Sequence, residues 1–344
     1  MKTKRVVFER PKEIALKEVE LPEPSGNQVL VKTLTTLIST GTELTTLTGE
    51  FPPRSYWAEV SKYPFTPGYS NVGTVIKRGG DVEEVEIGDR VASMAPHSQY
   101  ALADVGEPLK EPRGVVKIPE GVSDEEATFH DLASTVMNSI RLAKVSMGES
   151  VVVIGAGLLG QFAVMFSRLV GGYPVISIEL SEKRLKIAQK SGATETVKSD
   201  VEDVEKKVRS ITNGRMADVV FEVTGNPAVI PWAIKLVKPQ GRFIVLSSPR
   251  GPTQLDFHDE VNAPSRTIIG THVTSQPEYE TPYNQWTLKR NTELFFEFLK
   301  GGIIKVNHLI SHKYPWFEAE RAYRMLIENR AETMGVILDF REGQ

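Results

Sequence analysis

The chain contains no cysteine. That excludes disulfides and every zinc site built on thiolates. Long apolar runs are also missing, since no stretch reaches the roughly 18 residues that a membrane-spanning helix needs. Met1 to Glu13 carries charges and no apolar segment of the signal-peptide kind. Neither sign of charge dominates: the net charge is -3, with 25% charged residues. Nothing therefore suggests a nucleic-acid or membrane partner. No repeat or low-complexity tract is present. The expectation is a cytoplasmic chain of two domains, with 344 residues and 40% hydrophobic content sufficient for a sizeable core.

Against those absences stands one strong motif. Val151-Val152-Val153-Ile154 reads as a buried strand, and Gly155-Ala156-Gly157-Leu158-Leu159-Gly160 follows it at once. A helical pattern then runs through Phe162, Ala163, Phe166, Leu169 and Val170 and stops at Gly171-Gly172. Strand, tight glycine turn and helix form the context that gives GxGxxG its meaning as a dinucleotide fingerprint. Gly155 permits the turn, Gly157 lets the backbone approach a pyrophosphate, and Gly160 lets helix and strand pack closely. The helix N-terminus, opened by Leu158 and Leu159, receives the phosphate charge. The next strand, Pro174 to Ile178, ends at Glu179, about 20 residues past Gly160, where an acid binds the adenosine ribose. A carboxylate there accepts from both ribose hydroxyls and repels a 2′-phosphate, so NAD is favoured over NADP. Arg184 and Lys183 lie close enough in sequence to answer a phosphate instead.

Residues 1–130 read as β-rich. Val29 to Lys32 and Val72 to Ile76 are short β-branched runs, and turn signals stand at Pro22-Glu23-Pro24, Pro52-Pro53, Gly79-Gly80 and Gly88-Asp89. Ser123-Asp124-Glu125-Glu126 predicts a capped helix start. From there strands and helices alternate. Ser181 to Gly192 and Asn226 to Val237 read as helices, and Ala217 to Val223, Arg242 to Ser247 and Thr267 to Ile269 as strands. Such alternation predicts an α/β fold with a parallel, doubly wound sheet. The expected division is a first domain over 1–130, a Rossmann domain over 131–275, and a tail over 276–344 that returns to the first. The tail reads as helices from Thr292 to Lys300 and Glu318 to Asn329, with strands at Leu309 to Ser311 and Gly335 to Leu338.

Pro67-Gly68-Tyr69-Ser70-Asn71-Val72-Gly73-Thr74-Val75, with Ile87-Gly88-Asp89-Arg90-Val91 after it, resembles the barrel motif of the medium-chain dehydrogenase/reductase superfamily. Ser181 to Leu185 with Ala188 and Gly192-Ala193 is similar to that superfamily's helix after the second Rossmann strand. The resemblance covers essentially the whole chain. It implies a GroES-like β-barrel catalytic domain, a Rossmann domain and a homodimer or homotetramer. Ile38-Ser39-Thr40-Gly41-Thr42-Glu43 looks like a branch that includes bacteriochlorophyllide hydroxyethyl dehydrogenase and sugar-linked relatives.

The resemblance breaks at the metal. Zinc members usually carry Gly-His-Glu where Gly68-Tyr69-Ser70 stands, and a cysteine where Thr40 stands. Their third ligand falls near Asp131, and the four-cysteine structural lobe is missing. One carboxylate does not make the three protein ligands of a catalytic zinc site, so the expectation is no zinc.

Proton handling then falls to side chains. Tyr69 is a candidate because it replaces a ligand, and Asp131 because a carboxylate can act as base; each is equally well explained by packing or structural pairing. His97 and His130 are candidates as residues that titrate near neutrality, although a plain structural histidine is the simpler account of either. Thr42 resembles the hydroxyl that begins a proton relay, Glu43 an acid that supports the metal shell, and Thr135 a threonine beside the nicotinamide. On the cofactor side, Thr224, Ser247, Ser248 and Thr271 follow strands whose carboxyl ends face ligands. Tyr279, Tyr283, Trp286 and Arg290 are read as packing, with a lid or subunit contact as the alternative. The leading function is NAD-dependent oxidation of a secondary alcohol, polyol or sugar-like hydroxyl. The rivals are a zinc-free enone or quinone reductase, a non-catalytic NAD-binding sensor, and an unusual metal site from His97, His130 and Asp131.

Overall fold

The computed structural model describes residues 1–105, 114–277 and 279–341. The chain divides into two compact units, Met1–Ser134 with Gln276–Gln344, and Thr135–Ser275. In the first, β1 (Lys2–Arg10) and β2 (Glu13–Glu20) form an antiparallel hairpin. The sequence does not announce it, because Pro11-Lys12 closes it with Lys12 at φ 64° and without the usual Asn-Gly or Asp-Gly signal. β3 (Gln28–Leu37) pairs antiparallel with β4 (Asn71–Arg78), which pairs with β5 (Arg90–Ser93). β6 (Tyr100–Asp104) joins β3, and β7 (Val116–Lys117) joins β5. Val29, Val31, Val75 and Val91 turn inward and meet Val82, Val85, Val105 and Val115 in one apolar cluster. Each such side chain contributes about 1.5–3 kcal/mol when fully buried. Two short helices, α1 (Thr42–Thr48) and α2 (Tyr56–Val60), lie between β3 and β4.

Ser123 caps α3 (Asp124–Ala127) in a full capping box with Glu126. The helix stops after one turn, and α4 (His130–Ala143) begins afresh.

The second unit runs β8 (Val151–Ile154), α5 (Leu158–Leu169), β9 (Val175–Glu179), α6 (Glu182–Lys190), β10 (Glu195–Lys198), α7 (Val204–Ile211), β11 (Ala217–Glu222), α8 (Ile230–Ala233), β12 (Val237–Val245) and β13 (Thr267–Gly270). Its strand order is β10-β9-β8-β11-β12-β13, every pair parallel. This is the doubly wound Rossmann order, with its switch point between β8 and β11. β8 is buried on both faces, which explains its unbroken apolar run.

Two expectations need correction. The helix predicted from Asn226 to Val237 is only α8 and a following 3-10 turn, because Pro227 and Pro231 delay its start. The strand predicted from Arg242 begins instead at Val237. Its ladder slips between Val237 and Arg242, where Gln240 takes φ 61°, so only the regular half shows in the pattern.

The remaining chain rejoins the first unit's sheet. α9 (Leu288–Lys300) precedes β14 (Ile310–Pro315), α10 (Ala319–Glu328) and β15 (Gly335–Asp339). The sheet order is β14-β15-β3-β4-β5-β7, with β15 antiparallel to β3. α10 buries Ala319, Ala322, Tyr323 and Leu326, one helical stripe, in a core shared with Phe8, Ile38 and Leu338. Arg290 lies over the Trp286 ring at 4.4 Å, while Tyr283 is fully exposed. Among the described residues no helix is long and apolar enough to cross a membrane.

Candidate active site

The glycine turn between β8 and α5 is built as the fingerprint requires. Gly155 takes φ +98°, and a Cβ there would meet Thr224 Cγ2 at 3.0 Å. A Cβ on Gly160 would stand 1.9 Å from the Gly155 carbonyl oxygen, so only glycine fits. Gly157 caps α5, and nothing lies within 4 Å of where its Cβ would be. Open space at a helix N-terminus, with unpaired backbone N–H groups, suits a phosphate. Leu158 is buried and fixes the first turn of α5.

Glu179 ends β9, but its carboxylate is already engaged. Oε2 accepts from Ala156 N–H at 2.9 Å, and Oε1 from Leu180 N–H at 2.7 Å and Ser181 N–H at 3.3 Å. Arg184 Nη1 stands 3.8 Å from Oε2. The acid thus braces the glycine turn. A carboxylate has about four acceptor positions, so capacity for a ligand hydroxyl remains. Arg184 answers Glu179.

Thr224 and Ser247, at the ends of β11 and β12, both donate their hydroxyl hydrogens to Glu222. Thr271 is fully buried, its hydroxyl bonded to Ser139 at 2.7 Å and to the Val245 carbonyl at 3.3 Å. That is an internal structural role, not the ligand-facing position expected of it. Ser248 is half-buried beside Gly225, and Thr135 is buried on α4.

In the first unit, Tyr69 leads a continuous polar chain. Gly68 before it takes φ +102°, and a Cβ there would strike His97 N at 2.5 Å. The Tyr69 phenol donates to Ser39 Oγ. Ser39 N–H donates to Glu43 Oε1 at 2.9 Å. Glu43 Oε2 accepts from the Tyr323 phenol and from His97 Nε2 at 3.0 Å. His97 Nδ1 closes the chain on Thr36 Oγ1 at 2.7 Å. Both His97 nitrogens are therefore occupied. Burial raises the Tyr69 pKa, and the charges of Asp131 and Glu43 raise it further, against smaller opposite effects of hydrogen bonds with Ser39 and Thr42. The phenol is held protonated. Burial likewise pushes His130 down to about 4, against the upward pull of a hydrogen bond to the Ser93 backbone. His130 is thus neutral near pH 7, which corrects the expectation of a shuttle titrating near neutrality. Asp131 is buried in the first turn of α4.

Sequence reasoning missed Thr36, Ser39 and Tyr323 as partners, and Glu222 altogether. Only Glu222 carried a signal: it is a charged residue closing the apolar run Val219 to Phe221.

Two family models match the chain. Residues 25–131 match the alcohol dehydrogenase GroES-like domain, and residues 159–289 the zinc-binding dehydrogenase domain. L-threonine 3-dehydrogenase of Pyrococcus furiosus is 30% identical over 337 residues, covering 90% of this chain and 91% of that protein. This chain belongs to the medium-chain dehydrogenase/reductase superfamily. It is an alcohol-dehydrogenase-like oxidoreductase. Sorbitol dehydrogenase 1 of Saccharomyces cerevisiae is 28% identical, covering 81% of this chain and 83% of that one. An Escherichia coli oxidoreductase/dehydrogenase of unknown specificity shares the fold, with a TM-score of 0.83 at 20% identity, covering 98% and 99% of the two chains.

The zinc in the second family description does not fit this dehydrogenase's donor set. Hydroxyl side chains, Thr40, Tyr69 and Ser70, stand at the expected ligand positions. Among the described residues no group of three or more His, Asp or Glu side chains is arranged to hold a metal. The alternative trio of His97, His130 and Asp131 therefore does not assemble as a metal site, and His97 is already bonded through both nitrogens.

Proposed function

We propose that this dehydrogenase oxidises a secondary alcohol, polyol or sugar-like hydroxyl to a ketone with NAD, and that it does so without catalytic zinc. The observation that carries the reading is the Tyr69 phenol, held protonated in a ligand position and wired through Ser39 to buried Glu43. The named activities of the threonine and sorbitol relatives support hydroxyl oxidation.

Bound NAD supplies the hydride acceptor. The turn at Gly155, Gly157 and Gly160 holds the pyrophosphate, and Glu179 holds the adenosine ribose and disfavours a 2′-phosphate. In this reading Tyr69 turns its one hydrogen from Ser39 to the substrate oxygen as negative charge develops there, and the Ser39 hydroxyl donates to the phenol in its place. Asp131 takes the hydroxyl proton, and Thr42 fixes the phenol. Glu43, braced by His97 and Tyr323, orients Ser39 and through it Tyr69. In the reverse direction Tyr69 polarises the carbonyl and Asp131 returns the proton.

The test is a substrate screen on protein exhaustively treated with EDTA, following the near-ultraviolet absorbance of reduced nicotinamide with NAD and with NADP. Polyol or alcohol oxidation with NAD is expected to survive the treatment. Reduction of enones alone, or binding without any turnover, would assign the two rival functions. Activity that disappears with one bound zinc per chain would overturn the zinc-free chemistry.

A further inference from the structure

Glu222 closes β11 and is fully buried. Its Oε1 accepts from Thr224 N–H at 2.7 Å and from the Thr224 hydroxyl, and its Oε2 accepts from the Ser247 hydroxyl. Its backbone carbonyl accepts from Leu246 N–H and Ser247 N–H, both at 3.1 Å. One residue thus grips the loops that follow two neighbouring strands, β11 and β12. In an open parallel sheet ligands bind in this region, beyond the carboxyl ends of the strands.

The chemistry of the grip is directional. A hydroxyl has one hydrogen and two lone pairs, and an ionised carboxylate has no hydrogen to return. Thr224 and Ser247 therefore both point their hydrogens at Glu222. Thr224 Oγ1 uses acceptor capacity on Asn226 N–H at 3.0 Å. Ser247 is half-buried, and toward a ligand its oxygen can only accept.

We propose that Glu222 is a positioning residue that fixes Ser247 Oγ as a hydrogen-bond acceptor for an O–H or N–H donor of the bound dinucleotide. The group is a ribose hydroxyl or the carboxamide nitrogen. The inference rests on the dinucleotide-binding reading of the glycine turn. Glu222→Gln keeps the shape and supplies an amide hydrogen, which turns the Ser247 hydroxyl outward and makes it a donor facing a donor.

The experiment measures NADH dissociation constants by fluorescence, with thermal midpoints recorded in parallel. Ser247→Ala is expected to weaken NADH binding about tenfold, the size of one hydrogen bond. Glu222→Gln should weaken it at least as much, and the double variant no more than the worse single one, because both remove the same contact. Ser247→Thr, which restores the hydroxyl, should recover most of the affinity. With the reduced dinucleotide bearing nicotinic acid in place of nicotinamide, a Ser247→Ala penalty that persists assigns the donor to ribose, and one that vanishes assigns it to the carboxamide. Wild-type protein that does not bind NADH overturns the dinucleotide-binding reading itself. Wild type that binds while Ser247→Ala binds equally well overturns this inference alone, and that variant serves even where Glu222→Gln fails to fold. Losses that multiply in the double variant, or a lowered midpoint with unchanged NADH affinity, make Glu222 merely structural and also overturn it.

Discussion

Two glycines three residues apart should differ in stability, though not in the direction of their affinity change, under the same substitution. In Gly160→Ala the new methyl would stand 1.9 Å from the Gly155 carbonyl oxygen, where Cβ atoms essentially never come within 3.0 Å of a neighbour. The start of α5 must therefore move off the end of β8 by about 1 Å, an overpacking that costs about 1–3 kcal/mol. At about 2–4 °C per kcal/mol for a domain of this size, the thermal midpoint falls by several degrees. The displaced helix amides also lose their aim, and a misplacement of about 1 Å can cost up to about a hundredfold. Gly157→Ala meets nothing within 4 Å. Its backbone, at φ -71° and ψ -171°, suits alanine, so stability should change by less than about 1 kcal/mol, the difference between the two as helix caps. Its methyl nevertheless points into the space assigned to the pyrophosphate. NADH titration and differential scanning calorimetry on the two variants make the comparison. Gly160→Ala should lose both stability and affinity, and Gly157→Ala affinity alone. Unchanged NADH binding in Gly157→Ala, or an unchanged midpoint in Gly160→Ala, refutes the geometric argument.

Tyr69→Phe keeps the ring and removes the hydroxyl, so kcat should fall by about 10²- to 10⁴-fold with NADH affinity nearly unchanged. Asp131→Asn should cost a similar factor, and wild-type turnover in both variants would place proton transfer elsewhere. Glu179→Ala should narrow the preference for NADH over NADPH by removing ribose bonds and phosphate repulsion together, but it also frees the Ala156, Leu180 and Ser181 amides, so a lowered midpoint should accompany it. Tighter binding of NADPH by the wild type would refute the assignment. Burial holds His130 to about 4 against an ordinary value of 6.5, so the fold prefers its neutral form. The resulting stability is complete above the unfolded pKa and is lost as pH falls from about 6.5 toward 4. His130→Gln should flatten the midpoint's dependence on pH within that window, and an unchanged slope refutes the burial argument.

What was legible in the sequence was local. The strand, turn and helix around Gly155 to Gly160, the capping box at Ser123 and the cap at Ser181 each lie within a few residues, and each formed as read. The long-range polar chain was not legible. Glu43 meets Tyr323 across most of the chain, and nothing near either residue marks the other as its partner. Residue type alone also said little about the histidines. His97 is a candidate by residue type, with a structural role the simpler account, and its nitrogens are bonded to Thr36 and Glu43. His130 looked like a residue poised near neutrality, but burial keeps it uncharged. Periodicity also fails where a strand bulges, which is why the pattern gives Val237 to the end of a helix and shows β12 only from Arg242.

The place of β15 has a consequence for biosynthesis. It follows the Rossmann unit in the chain, yet it lies between β14 and β3, so the first unit's sheet joins segments from both sides of that unit. The Rossmann unit is continuous in sequence and can close its contacts as soon as it leaves the ribosome. The unit that begins first must wait until the segment beyond the Rossmann unit has been made. During that interval the end of β3, Thr35 to Leu37, lacks its partner strand, a short edge of the kind that other chains can join.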